Sequence, residues 1–376
     1  MRICKKCIQP DTRPNIFFDE NGVCGACLWI EEKETIDWIQ REKELNDIAS
    51  WAKQKSKDFD CVIGISGGKD STKQAITARD RLGLQCLLVN SEPENISEIG
   101  KHNIENLKQL GFDVISIRPN PKVMKTLMRK DFFDHLNPVK ITEYTLWAAT
   151  YIIADKFDIP LIIQGENGGL TLGISNTGLG KGPNALLANQ TSSLQSGLDE
   201  YTKIKDLKKK DFFWYSYDRE KLEKKDIRGI WLNYYLKEWS NNGNAEFSKG
   251  YGLEWRSSDI DPNSIGTYVR YSQLDSDLVQ VNQMLKAIKL GFGQCADHAN
   301  YDLRDGLISR NKAIELVLKY DGKCSEKYVS DFCSYIGITL DEFWKTTEKF
   351  RGPMWKKDQV GNWQNEYHDL LRSQLS

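Results

Sequence analysis

Ser66-Gly67-Gly68-Lys69-Asp70-Ser71 is the stretch around which the rest of this chain has to be arranged. The apolar run Cys61-Val62-Ile63-Gly64-Ile65 leads into it and reads as a buried parallel strand. Thr72 to Leu82 follows, with Ala75, Ile76, Ala78 and Leu82 apolar and Gly83 as a stop signal, so a helix is predicted there. A strand, a glycine turn and a helix start together gather free backbone N–H groups around an anion. Gly67 and Gly68 let the backbone approach a phosphate with no Cβ in the way. Lys69 adds a mobile positive charge, Ser66 and Ser71 add hydroxyl donors, and Asp70 offers the hard oxygens that suit Mg²⁺. A Walker A loop would need G-x-x-x-x-G-K-[ST], and that spacing is absent.

These residues match the SGGxDS signature of the PP-loop ATP pyrophosphatase superfamily, which the region resembles. The resemblance implies cleavage of ATP between its α- and β-phosphates, with AMP placed on a substrate oxygen and pyrophosphate released. Beyond the loop, Leu84–Asn90, Phe112–Ile117 and Ile159–Gln164 read as further buried strands, with helical spacing between them. The predicted fold is therefore α/β, a doubly wound parallel sheet, and the resemblance makes it adenine nucleotide alpha hydrolase-like. Ligands bind such sheets beyond the carboxyl ends of the strands, so the loop, Asn90-Ser91-Glu92 and Gln164-Gly165-Glu166 should share one rim. The superfamily resemblance implies that backbone groups near Val89 and Asn90 receive the adenine. It also implies that Gly165 and Glu166 lie near the α-phosphate or the substrate.

Four cysteines cluster at the start, as Cys4-Lys5-Lys6-Cys7 and Cys24-Gly25-Ala26-Cys27, with sixteen residues between the pairs. That is the spacing of a four-thiolate zinc site, each pair gripping one side of a tetrahedral ion. Apparent binding of about 10–16 kcal/mol at such sites can fold a segment too small to make its own core. An iron–sulfur cluster, which also takes four thiolates, is the rival reading. Met1-Arg2-Ile3-Cys4 has no signal-peptide core, and no apolar run approaches a membrane span. A cytoplasmic protein is expected, with cysteines as ligands, core residues or thiols rather than disulfides.

A length of 376 residues allows two or three domains. Boundaries are expected for a zinc knuckle at 1–30, a charged linker helix at 31–58, an ATP-binding domain at 59–205 and a mostly helical substrate or partner domain at 206–376. The glycine-rich segment from Gly165 to Gly182 reads as a lid over the active rim, or else as a disordered loop. Glu220 to Trp239 reads as one aromatic-rich helix, and helical patterns return at Asp275–Leu290, Ser309–Tyr320, Ser325–Ile336 and Leu340–Phe350. Cys295-Ala296-Asp297-His298 lies between two of these, and a hydrogen-bonded loop histidine explains it better than a catalytic pair. Lys181, Arg256, Arg304 and Arg310 are the candidates for gripping an anionic substrate, arginine being suited to bidentate contacts.

The resemblance extends further than the loop. The CxxC…CxxC knuckle, Ile36-Asp37-Trp38, SGGKDS, WRSSDID at 255–261 and the run FGQCADHANYDLRDGLISRNKA from Phe292 recur in the N-acetyl sugar amidotransferase family. The chain is similar to its lipopolysaccharide O-antigen members over essentially all its length. This implies an enzyme that converts the acetamido group of a nucleotide-activated N-acetyl sugar into an acetamidino group. ATP, Mg²⁺ and Zn²⁺ are the implied cofactors. The resemblance also implies ammonia from a separate glutaminase subunit, by way of a second partner similar to the cyclase of histidine biosynthesis. Lys69 and Asp70 would be catalytic, with the loop N–H groups and Lys69 on the departing pyrophosphate and Asp70 on Mg²⁺.

A tRNA-modifying PP-loop enzyme, either a thiolase or a lysidine-type synthetase, is the competing reading. It would ask for a basic surface and, for thiolation, a reactive thiol near the loop. The net charge of −1 gives no basic field, so neither a nucleic-acid nor a membrane partner is expected. Cys61 and Cys86 lie inside predicted strands and read as core. A zinc-stabilised ATP-binding scaffold without catalysis is a third reading, and it leaves Lys69-Asp70-Ser71 unexplained.

Overall fold

Five short runs build one parallel sheet in the computed structural model, which describes residues 1–175, 177–191, 193–194 and 196–375. They are β1 (Cys61–Ile65), β2 (Cys86–Ser91), β3 (Asp113–Ile117), β4 (Leu161–Gln164) and β5 (Arg228–Trp231), ordered β3-β2-β1-β4-β5. β1, β2 and β4 are buried almost throughout, which is why they read as continuous apolar runs rather than alternating ones. Ile63, Leu88 and Ile163 face one core, while Val62, Leu87 and Ile162 face the other. The chain winds from β1 through β2 to β3, then returns to β4 on the other side of β1. The switch point of this sheet therefore lies beside the end of β1, where SGGKDS begins.

Helices α1 (Gly25–Lys33) and α2 (Trp38–Lys55) precede the sheet. Between strands come α3 (Lys69–Ile76), α4 (Glu98–Gln109), α5 (Pro121–His135) and α6 (Lys140–Phe157). The helix expected over 72–82 starts earlier and widens to a π-turn at Thr77–Arg81 before Gly83, whose φ is +63°. After β4 the single turn α7 (Gly168–Thr171) sits inside the glycine-rich segment.

The aromatic stretch from Glu220 to Trp239 is not one helix. It divides into α8 (Arg219–Lys224), strand β5 and a 3₁₀ turn at Leu232–Tyr234. Ile230 enters the core with Ile63 and Ile163, and Trp231 enters the opposite one with Val62 and Ile162. That is the period of a strand, hidden in a run too short to display it. The sheet thus draws its fifth strand from beyond residue 205, where a boundary was expected.

Beyond two 3₁₀ helices at Ala185–Gln190 and Lys209–Tyr215 come α9 (Asn241–Gly250), α10 (Pro262–Ile265), α11 (Leu278–Leu290), α12 (Gln294–Arg304), α13 (Arg310–Tyr320), α14 (Glu326–Ile336) and α15 (Leu340–Lys349). The hairpin β6 (Trp355–Lys357) and β7 (Trp363–Asn365) then leads into α16 (Glu366–Arg372). α12 covers the Cys295–His298 run that was expected between helices. The N-terminal knuckle packs on this part of the chain. Ile8 is fully buried among Phe292, Ala296, Ile314, Tyr367 and Leu371, its N–H bonds Asn300 Oδ1 at 2.9 Å, and its carbonyl accepts the Tyr367 hydroxyl at 2.8 Å. No helix among the described residues is long and apolar enough to cross a membrane.

Candidate active site

The loop leaves β1 through Gly67 at φ +73°, a backbone state that side chains rarely adopt. Space makes the same demand, because a Cβ on Gly67 would stand 3.1 Å from the Gly100 carbonyl and 3.2 Å from Asn103 Cβ. Gly68, in extended conformation, caps α3, so the free N–H groups of that helix open on the rim of the sheet. Ser71 Oγ and Thr72 Oγ1 donate back to the Gly68 carbonyl at 3.1 and 3.0 Å and fix the turn.

In the first turn of α3, Lys69 Nζ lies 2.6 Å from Asp70 Oδ2. Asp70 Oδ1 accepts from Asn244 Nδ2 at 2.7 Å, and Ser248 Oγ donates to the Lys69 carbonyl at 2.6 Å. Both partners sit on α9, which packs along α3 and holds its charged end in place. Nothing in the sequence near Asn244 and Ser248 announced this, since neither belongs to a local motif.

Across the switch point, β4 ends at Gln164 and Glu166 follows. Burial first, and then the nearby Asp70 charge, push the Glu166 carboxyl up; a hydrogen bond from Thr171 Oγ1 works the other way. Asn167 holds the segment behind it, with Nδ2 donating to the carbonyls of Gly180 at 3.2 Å and Gly182 at 3.0 Å. The segment expected as a lid is folded back on itself here; Asn176, within it, is outside the described residues. Val89 and Asn90 lie near the end of β2 on the other side of β1, paired in register with Gly64 and Ile65 on one flank and Ile115 and Ser116 on the other. The Asn90 side-chain oxygen is buried without a hydrogen-bond partner.

α12 brings further charged and polar groups near the loop. Asp297 is ion-paired with both Lys286 of α11 and Arg13 of the knuckle. After burial, the Lys69 charge is among those that push the His298 imidazole down, and burial, then the Glu166 and Asp297 charges, push the Tyr301 hydroxyl up. Cys295 points elsewhere, into the core with Phe292, and its thiol donates to the Leu316 carbonyl at 3.4 Å. The Cys–His pair is thus no dyad. Arg13 and Lys286 went unnoticed in the sequence because only folding brings them to Asp297.

His298 Nδ1 is 2.7 Å from Thr267 Oγ1, and burial pushes its imidazole down to about 3, with the neighbouring Asp297 opposing. An unfolded histidine titrates near 6.5, so unfolding takes up a proton below that pH. The stability this neutral histidine confers is present above about pH 6.5 and is lost as pH falls towards 3. His298→Gln should flatten that loss, measured as the change in urea midpoint between about pH 7 and about pH 5.

The four cysteine sulfurs lie within 4.8 Å of one another and all four residues are buried. Cys4 and Cys27 Sγ are 3.9 Å apart, and Cys7 and Cys24 Sγ 3.6 Å. A tetrahedron with Zn–S bonds of about 2.3 Å has edges of about 3.8 Å, so the set fits one zinc ion and is too tight for a multi-iron cluster. Backbone N–H groups of Cys7 and Cys24 donate to Cys4 Sγ at 3.5 and 3.3 Å, as expected around coordinated thiolate.

The four substrate-gripping candidates do not converge. Arg256 is buried and bound to Asp277 Oδ1 at 3.0 Å and the Gln273 carbonyl at 2.6 Å. Arg310 grips the knuckle through the Cys7 carbonyl and also bonds Gln374. Lys181 is exposed and paired with Glu32 at 3.2 Å. Arg304 alone reaches the rim, lining a cavity of about 50 Å³ with Glu166, Thr171, Trp29, Trp239 and Tyr301. A larger hollow of about 920 Å³, walled by Tyr151, Phe213 and Tyr217, lies against the far end of α6 and contains none of these residues.

Comparison with known proteins bears on the C-terminal part. Residues 265–368 match the family model described as the LPS biosynthesis protein WbpG-like, C-terminal domain. No curated protein matches the chain. Among solved structures, NMN synthetase from Francisella tularensis is similar at 16% identity and a TM-score of 0.28, covering 51% of this chain and 96% of its own. α11 through β7, with Asp297 and His298, fall within the matched residues. Residues 265–368 are thus similar to the C-terminal domain of WbpG-like LPS biosynthesis proteins, in keeping with the family read from the sequence motifs.

Proposed function

We propose that this protein is the synthetase of an ATP-dependent amidotransferase acting on a nucleotide-activated N-acetyl sugar. One observation carries the reading. The SGGKDS turn, with Lys69 paired to Asp70, lies near enough to Glu166, and to His298 in the WbpG-like stretch, for their charges to interact, which supports a site shared between nucleotide and sugar.

An amide carbonyl resists ammonia because its oxygen leaves badly. Attack of that oxygen on the α-phosphorus of ATP expels pyrophosphate and leaves an imidate-like carbon bearing AMP. Ammonia then adds to this carbon, AMP departs with the former amide oxygen, and the nitrogen sheds protons to give the amidine. On this reading the N–H groups at the start of α3 and Lys69 take up charge on the departing pyrophosphate. Asp70 supplies carboxylate oxygen for Mg²⁺, whose chemistry would be to neutralise phosphate charge. Glu166, with its raised proton affinity, is suited to accept a proton from the attacking nitrogen. On this reading ammonia arrives from a glutaminase partner through a cyclase-like subunit.

Thiolation finds little support. Cys61 and Cys86 lie at the starts of β1 and β2, away from the rim, with their sulfurs 3.4 Å apart in the core. The test is to incubate the protein with ATP, Mg²⁺, ammonium and a panel of uridine-diphosphate acetamido sugars. The expected result is a sugar lighter by the difference between O and NH, with AMP and pyrophosphate formed in step. Unchanged sugar masses across the panel, with no AMP, would overturn the proposal.

A further inference from the structure

The thiolate cluster and the Glu166 segment are joined by more than proximity. Arg304, at the end of α12, sends Nη2 to Cys7 Sγ at 3.4 Å and Cys24 Sγ at 3.8 Å. Its Nη1 reaches the Thr171 carbonyl at 3.5 Å. Thr171 in turn donates through Oγ1 to the Glu166 carboxylate. A continuous path of contacts therefore runs from two of the four sulfurs to a rim carboxylate.

The backbone makes a second connection. Ile16 and Ile174 form an antiparallel bridge, with the Phe17 N–H bonding the Gly173 carbonyl at 3.0 Å and the Ser175 N–H bonding the Asn15 carbonyl at 2.7 Å. Gly173, at φ +65°, lies so close to the knuckle helix that a Cβ would stand 2.2 Å from the Ala26 N–H nitrogen. The glycine is needed for this close approach.

Charge decides what the arrangement requires. Among the described residues Arg304 has no carboxylate at ion-pair distance, and its Nε is buried without a partner. Four thiolates around one divalent ion carry a net negative charge that a guanidinium can balance, and hydrogen bonds from outside are a usual support for such ligands. Four neutral thiols would leave the guanidinium uncompensated, an arrangement that is strongly unfavourable when buried.

We propose that Arg304 is a positioning residue that makes the placement of the Glu166–Thr171 segment depend on a metal-loaded cluster. The knuckle is then a wall of the active site, not an independent anchor. The role of the segment in catalysis rests on the function proposed above, but the coupling does not, and it is tested without substrate.

Hydrogen exchange read by mass spectrometry on the full chain, zinc-loaded and after chelation, follows residues 165–175 against α14 as an internal reference. Zinc removal is expected to speed exchange in 165–175 by about tenfold or more while α14 is unchanged. Arg304→Gln, loaded with zinc, should show the same local rise and hold zinc about ten- to a hundredfold more weakly in competition with a chromophoric chelator. Arg304→Lys should not restore either property, because one ammonium cannot reach both the sulfurs and the Thr171 carbonyl. Unchanged exchange in 165–175 after zinc removal would overturn the proposal. So would an equal rise in α14, which would mean general unfolding. Wild-type zinc affinity and exchange in Arg304→Gln would remove Arg304 from the coupling.

Discussion

Asp70→Asn is expected to lower pyrophosphate release by at least about a hundredfold, the loss typical of removing one preorganised charge partner from a transition state. The substitution keeps shape and removes charge. Oδ2 now balances Lys69 Nζ at 2.6 Å, and Oδ1 accepts from Asn244 Nδ2 at 2.7 Å. An amide at this position cannot neutralise Lys69, presents a weaker ligand to Mg²⁺, and on one side turns a donor towards a donor. Asn244→Ala removes only the strut from α9 and should cost less, about tenfold, mainly in turnover rather than in ATP affinity. Steady-state pyrophosphate release at saturating ATP, with thermal unfolding as a control for folding, distinguishes the two. If Asp70→Asn retains turnover within a few-fold of the parent, Asp70 has no place in the chemistry.

Asp297→Ala should carry the largest cost in stability, on the order of 3–5 kcal/mol, because it strands Arg13 and Lys286 without their shared anion. Burial alone would push the Asp297 carboxyl up, but Arg13 and Lys286 outweigh it and hold it at about 2. The folded value lies below the unfolded one of 3.8, so this contribution is present above about pH 4 and disappears as pH falls through about 2. Urea midpoints of parent and variant should therefore differ strongly near pH 7 and converge in strong acid. A constant gap across that range would show that the loss comes from packing and not from the charge.

What could be read in the sequence follows from how local each determinant is. The turn at Ser66–Ser71 was legible because the backbone of six neighbouring residues builds it, and only glycine fits at position 67. β1, β2 and β4 were legible because a strand covered on both faces is a plain apolar run. α12 was not, since its buried face carries Gln294, His298, Asn300 and Asp302 beside its alanines. Its apolar stripe of Cys295, Ala296, Ala299 and Leu303 is small and interrupted by those buried polar residues, so it is easily passed over. Arg304 and Arg310 were expected to grip an anionic substrate, whereas one bonds knuckle sulfurs and the other knuckle carbonyls. Lone positions do not reveal their partners. The four sulfurs were the opposite case, as spacing alone brings each pair together.

The burial of Ile8 beside Tyr367 and Leu371 has a bearing on how this chain is made. During synthesis the first residues emerge long before their resting place exists, and hundreds of residues must be translated before α16 can receive them. Contacts of such sequence separation form late and at a high entropic cost. Docking of Ile8 is therefore a late step that follows the formation of α16, whereas the four sulfurs pack mainly among residues of their own segment.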